Sequence, residues 1–263
     1  MKDIIKNYHT HTYRCGHAAN CNDEEYVKSA IKNNFKVLGF SDHAPFRNII
    51  HPGMRMEFND FDNYINSITS LKNKYKDKIQ ILIGLEIEYL SNFKEYYEEL
   101  INKYKLNYLI LGQHLKYNNE FEPEYYFKST KNNIALINEY AFDLINGMKT
   151  GYFSYVCHPD LFLINCTFFG EFEKEISIKI CKAAKEFNLP LEININGFIS
   201  NREYPSIDFF KIAKEIGNKF IFGIDAHSPI QIENIPYEGL NLFLNKTGIT
   251  NNDIIDDITL YNI

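Results

Sequence analysis

Tryptophan is absent from the 263 residues, and arginine occurs only at positions 14, 47, 55 and 202. In a chain whose cations are mostly lysine, an arginine marks a place where a planar, two-pronged donor matters. The five cysteines, Cys15, Cys21, Cys157, Cys166 and Cys181, include no C-x-x-C pair. That and the odd number argue against a zinc ribbon and a disulfide framework, so reduced thiols are expected. No stretch approaches the roughly 18 apolar residues of a membrane span. The opening MKDIIKNYHTHTYRCGHAA has no signal-peptide layout. The expectation is a cytoplasmic protein with no membrane association. A net charge of -6 and a pI near 5.8 leave no basic stripe, which disfavours long nucleic acid as a partner. No Pro-, Gly- or Ser-rich linker and no low-complexity block interrupts the chain, so a single domain over residues 1–263 is expected.

What is present suits a large core: 45% of the residues are hydrophobic and 24% charged. Short apolar runs alternate with amphipathic stretches. Strand-like segments lead through Ile4 and Ile5 into His9, then KVLGFSDH, IQILIGLEIEY, YLILGQH, YFSYVCHPD, LEININ and KFIFGIDAH. Helical patterns fall between them: after Asn22, from about Phe58 to Tyr75, over FKEYYEELINKY, Asn133 to Met148, Glu171 to Asn188, around Ile207 to Ile216, and near Leu240 to Asn245. A polar loop from Pro45 to about Met56 separates two of them. Near-continuous apolar strands alternating with helices predict an α/β fold with a parallel sheet. The count fits a seven-stranded, or distorted eight-stranded, (β/α) TIM-like barrel; a doubly wound open sheet is the alternative.

Seven of the eight histidines sit at or just past the carboxyl ends of these strands. His9 and His11 close the first, with His17 in the loop beyond; His43 closes the second, His114 the fourth, His158 the fifth, and Asp225 and His227 the seventh. Glu86 lies in the third. In a parallel barrel all these ends point to one mouth, where such folds place their chemistry. A lone histidine in a strand is ordinary, but seven with two acids would be a severe charge problem without a cation. Imidazole and carboxylate together suit Zn, Mn or Fe better than Ca or Mg. His51, beside Pro52 and Gly53, reads as a solvated loop residue. Glu88 reads as a surface or salt-bridging acid, and the cysteines as packing residues.

The segments YHTHTYRCGHA, GFSDHAPF, IGLEIEY, LGQH, CHPD and FGIDAHS resemble the polymerase-and-histidinol-phosphatase (PHP) family, in particular its stand-alone histidinol-phosphatase branch. The resemblance runs from His9 to His227, with the motifs in order on successive strands, and implies a distorted seven-stranded barrel. It also implies a metal set. His9, His11, Glu86 and Asp225 would hold the first ion. Glu86 would bridge to a second, completed by His114 and His158. His17, His43 and His227 would hold a third. Two to three divalent transition metals (Zn, Mn or Fe) are therefore expected. The branch often carries a Ser-Val-His type sequence where this chain has Gly112-Gln113-His114. The segment NINGFISNREYPS resembles the branch's loop after strand six, where an arginine grips phosphate, which points to Arg202.

The expected reaction is hydrolysis of a small-molecule phosphate monoester, with L-histidinol phosphate as the substrate that the resemblance implies. The metals would lower the pKa of a water, Arg202 would bind the phosphoryl oxygens with Arg55 or Arg14 as a second grip, and Asp225 or His227 would protonate the leaving alkoxide. Three other readings remain. One is a phosphoesterase acting on a nucleotide, an oligonucleotide end or phosphotyrosine. Another is a metal-binding module without turnover. The third is a barrel hydrolase of amides, which would need fewer metals.

Overall fold

The longest strand explains the architecture. In β3 (Gln80–Ile87) successive side chains alternate between two buried faces. Ile81, Ile83, Leu85 and Ile87 join the large outer core, whereas Leu82 belongs to a second, smaller apolar cluster. Gly84 and Glu86 continue the Leu82 face. A strand buried on both sides belongs in a parallel sheet covered by helices, and the structure, a computed structural model that describes residues 1–117, 123–128 and 131–262, has that form. The sheet comprises β1 (Lys6–Asn7), β2 (Val37–Phe40), β3, β4 (Tyr108–Leu111), β7 (Tyr155–Val156), β8 (Leu191–Asn194) and β9 (Phe220–Gly223), in that spatial order and all parallel. Beyond β9 the chain meets the chain beyond β1 through a parallel bridge between Thr10 and Ala226. His11 N donates to Ala226 O at 2.8 Å and Ala226 N to His9 O at 3.1 Å. Seven strands thus nearly close a barrel, and the doubly wound alternative is excluded.

The helices that cover it follow the expected order: α1 (Asp23–Lys32), α2 (Phe61–Tyr75), α3 (Lys94–Asn102), α4 (Ile134–Lys149), α5 (Glu171–Glu186), α7 (Ile207–Ile216) and α9 (Tyr237–Thr247). Local chemistry sets their ends. Asn22 and Glu25 form a capping box that starts α1, and the Ser206 hydroxyl accepts from Phe209 N at the start of α7. Three elements were not anticipated from the pattern: the antiparallel hairpin of β5 (Leu115–Lys116) and β6 (Glu124–Tyr125), and the short helices α6 (Ile195–Ile199) and α8 (Pro229–Glu233). The sixth strand is correspondingly shorter than LEININ suggests. It ends at Asn194 because that side chain accepts from Gly197 N at 2.7 Å and caps a helix there. Among the described residues no helix is long and apolar enough to cross a membrane.

The inside of the barrel has a floor and a roof. The floor is apolar: Tyr8, Val37, Leu82, Tyr108, Ile110, Tyr155, Cys157 and Ile221. Tyr108 spans it, donating to Tyr8 O at 2.7 Å with Phe40 O at 3.1 Å. Its ring fits because Gly84 lacks a side chain; a Cβ there would lie 2.6 Å from the ring. The roof carries the polar groups that the same alternation directs inward. Gly84→Ala should therefore overpack the floor and destabilise the protein by about 1–3 kcal/mol. Urea denaturation checks this, and an unchanged midpoint would contradict the packing described.

Candidate metal centre

Glu86 sits at the roof, 1% exposed, and among the described residues the side-chain polar partners of its carboxylate are imidazoles and the Cys157 thiol. His158 Nε2 lies 2.7 Å and His114 Nε2 3.4 Å from Oε1. His43 Nδ1 at 3.0 Å, His9 Nε2 at 3.4 Å and His11 Nε2 at 3.5 Å surround Oε2. Asp225 Oδ1 closes the same group from just beyond β9, 3.0 Å from His11 Nε2 and 3.5 Å from His9 Nε2. A third grouping adjoins it: His227 Nε2 and His17 Nε2 are 3.0 Å apart, and the His227 ring stacks on His11 at 4.2 Å. All nine residues expected to ligate metal are thus brought into one cluster. His43 stands between groupings, with its Nδ1 turned to Glu86 and its ring 5.4 Å from that of His17.

The donor set fits cations. His9 Nε2, both ring nitrogens of His11, Glu86 Oε2 and His158 Nδ1 are buried without a hydrogen-bond partner. Leaving such groups unmade costs about 1–3 kcal/mol each. Several of the donor separations, 3.4–3.5 Å, are too long for good hydrogen bonds. They match the edge of a tetrahedron with metal–ligand bonds of about 2.1 Å, which is about 3.4 Å. Groups of ligand atoms close enough to share one ion include His9, His11 and Asp225, and His11, His43 and His227.

The opposite ring nitrogens are held from behind, which presents Nε2 to the centre. His9 Nδ1 meets Glu192 Oε1 at 2.7 Å, His114 Nδ1 meets Glu88 Oε1 at 3.2 Å, His17 Nδ1 meets Cys15 O at 3.1 Å, and His227 Nδ1 meets Asp225 O at 2.9 Å. His11 Nδ1 faces Asp42 at 3.5 Å, beyond a good hydrogen bond, and the Asp42 carboxylate accepts from Thr12. Outer partners of this kind fix ring orientation and tautomer. The charges tune one another. Burial opposes ionisation of Glu86, but His43, His114 and His9 outweigh it and hold its pKa well below the carboxylate range. Burial likewise disfavours charge on His11, yet Asp225, Asp42 and Glu86 raise its pKa to about 9. For His227, burial and the His11 charge win, and its pKa falls to about 4. Two positions are strained: His158 (φ 29°) and Asp225 (φ 53°) occupy the left-handed region, which a non-glycine residue adopts only when its surroundings hold it there.

A cavity of about 520 Å³ opens over the cluster. Glu86, His17, His43, His114, His158, Asp225 and His227 form its polar end, with Arg202 and Asn196; Met54, Phe127, Leu161, Ile164 and Tyr204 supply apolar surface. Arg202 Nη1 donates to Tyr204 Oη at 2.8 Å, and the Tyr204 ring lies 5.8 Å from that of His158. Glu203, next to Arg202, pairs instead with Lys131 at 3.4 Å. The other two arginines expected at the phosphate do not reach the cavity. Arg14 is buried and bound to Asp23 at 2.9 Å and to Asn63 at 2.7 Å. Arg55, 2% exposed, clasps Glu88 with both terminal nitrogens, at 2.7 and 3.2 Å, and donates to Ala44 O. Each fork is occupied by a protein carboxylate or amide, so a role in substrate binding is withdrawn for Arg14 and Arg55. Glu88 is buried beside His114, so it is not a surface acid; it is a salt-bridging one, paired with Arg55 at 2.7 Å. His51 lies outside the cavity lining, its ring 4.6 Å from Tyr125.

Sequence reasoning passed over Glu192, Asp42, Tyr204 and Asn196. Glu192 left a signal, an acid inside the apolar strand LEIN. Asp42 stands beside His43 in GFSDHAPF and carried no signal of its own. Tyr204 and Asn196 carried none.

The sequence matches the family model of the PHP domain over residues 7–196. A protein named as a probable histidinol-phosphatase from Deinococcus radiodurans is 24% identical over 230 residues, covering 85% of this chain and 86% of that one. Its counterpart from Schizosaccharomyces pombe is 25% identical over 280 residues, with coverage of 91% and 89%. The crystal structure of histidinol phosphate phosphatase from Lactococcus lactis, complexed with Zn, L-histidinol and phosphate, superposes with a TM-score of 0.70 at 23% identity. It covers 94% of this chain and 95% of its own, a likeness of fold.

The close approach of Gly112 to Glu86 supplies a test of the centre. A Cβ at 112 would lie 2.2 Å from Glu86 Oε1. Gly112→Ala should push that carboxylate off its histidines and lower bound metal to the level of Glu86→Gln, with the fold retained. His51→Ala should leave metal content near wild type. Elemental analysis with circular dichroism measures both; equal metal loss in all three variants would place His51 in the centre.

Proposed function

The chain belongs to the PHP domain family, and from that footing we propose that it is a metal-dependent phosphatase that hydrolyses L-histidinol phosphate to L-histidinol and phosphate. One observation carries the reading: the buried imidazole–carboxylate cluster and Arg202 line the same cavity. The curated relatives with coverage above four-fifths of both chains support the substrate. In this reading His9, His11, Glu86 and Asp225 hold one ion, Glu86, His114 and His158 a second, and His17, His43 and His227 a third. When bound, such divalent metals supply Lewis acidity toward the phosphoryl oxygens and toward the attacking water.

The chain's own residues do the rest. Arg202 stands at the cavity with its Nη1 steadied by Tyr204. Its remaining N–H groups bind phosphoryl oxygens in the two-pronged manner that strengthens as charge develops. Asp225 and His227 are the two candidates for moving the proton. The hydrogen bonding favours Asp225. Nδ1 of His227 is engaged with Asp225 O, and its Nε2 faces His17. Asp225 Oδ2, with Asn194 Nδ2 at 3.3 Å and Asn196 Nδ2 at 3.2 Å, is oriented at the cavity. It relays a proton from water to the leaving oxygen. Phe127, Leu161, Ile164 and Met54 exclude water from the organic side.

A second reading has an observation in its favour. Among the described lining residues, no carboxylate beyond Glu86 and Asp225 faces the cavity, so nothing there is dedicated to an ammonium group. A PHP phosphatase of another small phosphate ester fits that lining equally well. Phosphate release from histidinol phosphate, nucleoside monophosphates, a bis-ester and an aryl phosphate separates the two. Histidinol phosphate should be hydrolysed with the highest kcat/KM; preference for another ester would replace the substrate and keep the reaction class.

Two further outcomes follow from the same roles. Chelation should abolish phosphate release, with Zn, Mn or Fe restoring it, and purified protein should carry two to three equivalents of metal. Less than one equivalent after metal-replete growth would remove the three-ion assignment. Arg202→Ala should lower kcat/KM about 100-fold, the scale of one strong transition-state donor, and Arg202→Lys should not rescue it. Near-wild-type kinetics in both variants, with metal intact, would take Arg202 out of the mechanism.

A further inference from the structure

We infer that the two carboxylate–histidine pairs behind the cluster differ in net charge, so that the cation position beside His9 binds more tightly than the one beside His114. The inference rests on the reading of the cluster as a metal centre. It concerns Glu192, Glu88 and Arg55, none of which touches the cavity.

The first pair is an uncompensated anion. Glu192 is fully buried, and its Oε1 takes His9 Nδ1 at 2.7 Å. Its Oε2 accepts from His158 N at 3.0 Å and from Asn194 Nδ2 at 2.8 Å. Main-chain and amide N–H groups can only donate, so the oxygen they share is an acceptor. Apart from His9, no cationic side chain pairs with Glu192 among the described residues. The space it occupies is reserved for it: a Cβ on Gly223 would lie 1.7 Å from Oε1.

The second pair is neutral. Glu88 reaches His114 Nδ1 at the longer distance of 3.2 Å. The same carboxylate is clasped by the buried Arg55 at 2.7 and 3.2 Å. Arg55 cannot lose its proton, so Glu88 and Arg55 together present His114 with no net charge. A buried anion behind an imidazole raises its strength as a metal donor, and at low dielectric the effect is weakly screened. His9 receives that support in full. His114 receives only what the Arg55 charge leaves. The position formed by His9, His11 and Asp225 should fill before that formed by His114 and His158, and the latter should exchange faster.

Titration of metal-depleted full-length protein with Zn, in competition with a chromogenic chelator, tests this without reference to turnover. Wild type should show a tight and a weak class. His9→Ala should abolish the tight class and His114→Ala the weak one, which assigns them. Glu192→Gln removes the charge and one of the two acceptor oxygens; it should weaken the tight class about 10-fold or more, and by a larger factor than the weak class, which Glu192 reaches only through His158 N. Arg55→Met should act in the opposite direction, strengthening the weak class about 10-fold, a gain that damaged packing would not produce. Should Arg55→Met fail to fold by circular dichroism, Glu88→Gln takes its place. With Arg55 then unopposed, the weak class should fall further while the tight class stays. Equal weakening of both classes by Glu192→Gln, or classes assigned in the reverse order, would overturn the charge asymmetry alone. No Zn bound by wild type would overturn the metal reading of the cluster itself.

Discussion

A single carboxylate organises this molecule's working end. Glu86 is buried among five imidazoles, two on one oxygen and three on the other. An anion so placed is tolerable only if positive charge surrounds it. The constraint reaches outward from there. β3 must be long enough to carry Leu82, Gly84 and Glu86 up one inner face. Gly112 must have no side chain where the carboxylate passes. His158 and Asp225 must hold strained backbone conformations to face it.

The barrel makes the constraint possible by separating two environments along one axis. The floor, crossed by Tyr108, keeps water out from below. The roof collects the inward positions at the carboxyl ends of the strands. Behind the roof lies another layer, in which Glu192 and Glu88 touch ring nitrogens that point away from the centre and Asp42 faces another at 3.5 Å. The centre is accordingly a nested arrangement: ligand atoms at the middle, imidazoles around them, and a ring of buried acids outside. That outer ring differs in charge from one side to the other, so ions held on the two sides need not be equivalent.

The four arginines show how far composition carries an argument. Their scarcity suggested positions where a planar fork matters, and three of the forks are taken up by protein carboxylates or a side-chain amide. Arg14 binds Asp23 and Asn63, Arg47 binds both oxygens of Glu99, and Arg55 binds both oxygens of Glu88. What scarcity could not distinguish is a fork satisfied by the protein from one presented to a ligand, because the residue type is the same in both. Only Arg202 lines the cavity, and its loop is placed by contacts from elsewhere in the chain, among them Asp160 beyond β7, which accepts from Ser206 N at 2.6 Å.

The sequence by itself determined the strand–helix order, the parallel barrel and the convergence of seven histidines with Glu86 and Asp225. These are carried by local periodicity and by position relative to strand ends, and both survive in a one-dimensional reading. The tertiary structure decided the rest. Glu192 and Glu88 were legible as acids in or beside apolar strands, but which imidazole each would touch depends on strands brought together across the barrel. The end of β8 at Asn194 depends on a side chain turning back to cap Gly197. The commitment of Arg14 and Arg55 to buried partners depends on which carboxylates folding places within reach. Pairing across the barrel is a property of distance, and distance between residues remote in the chain is created only when the strands close.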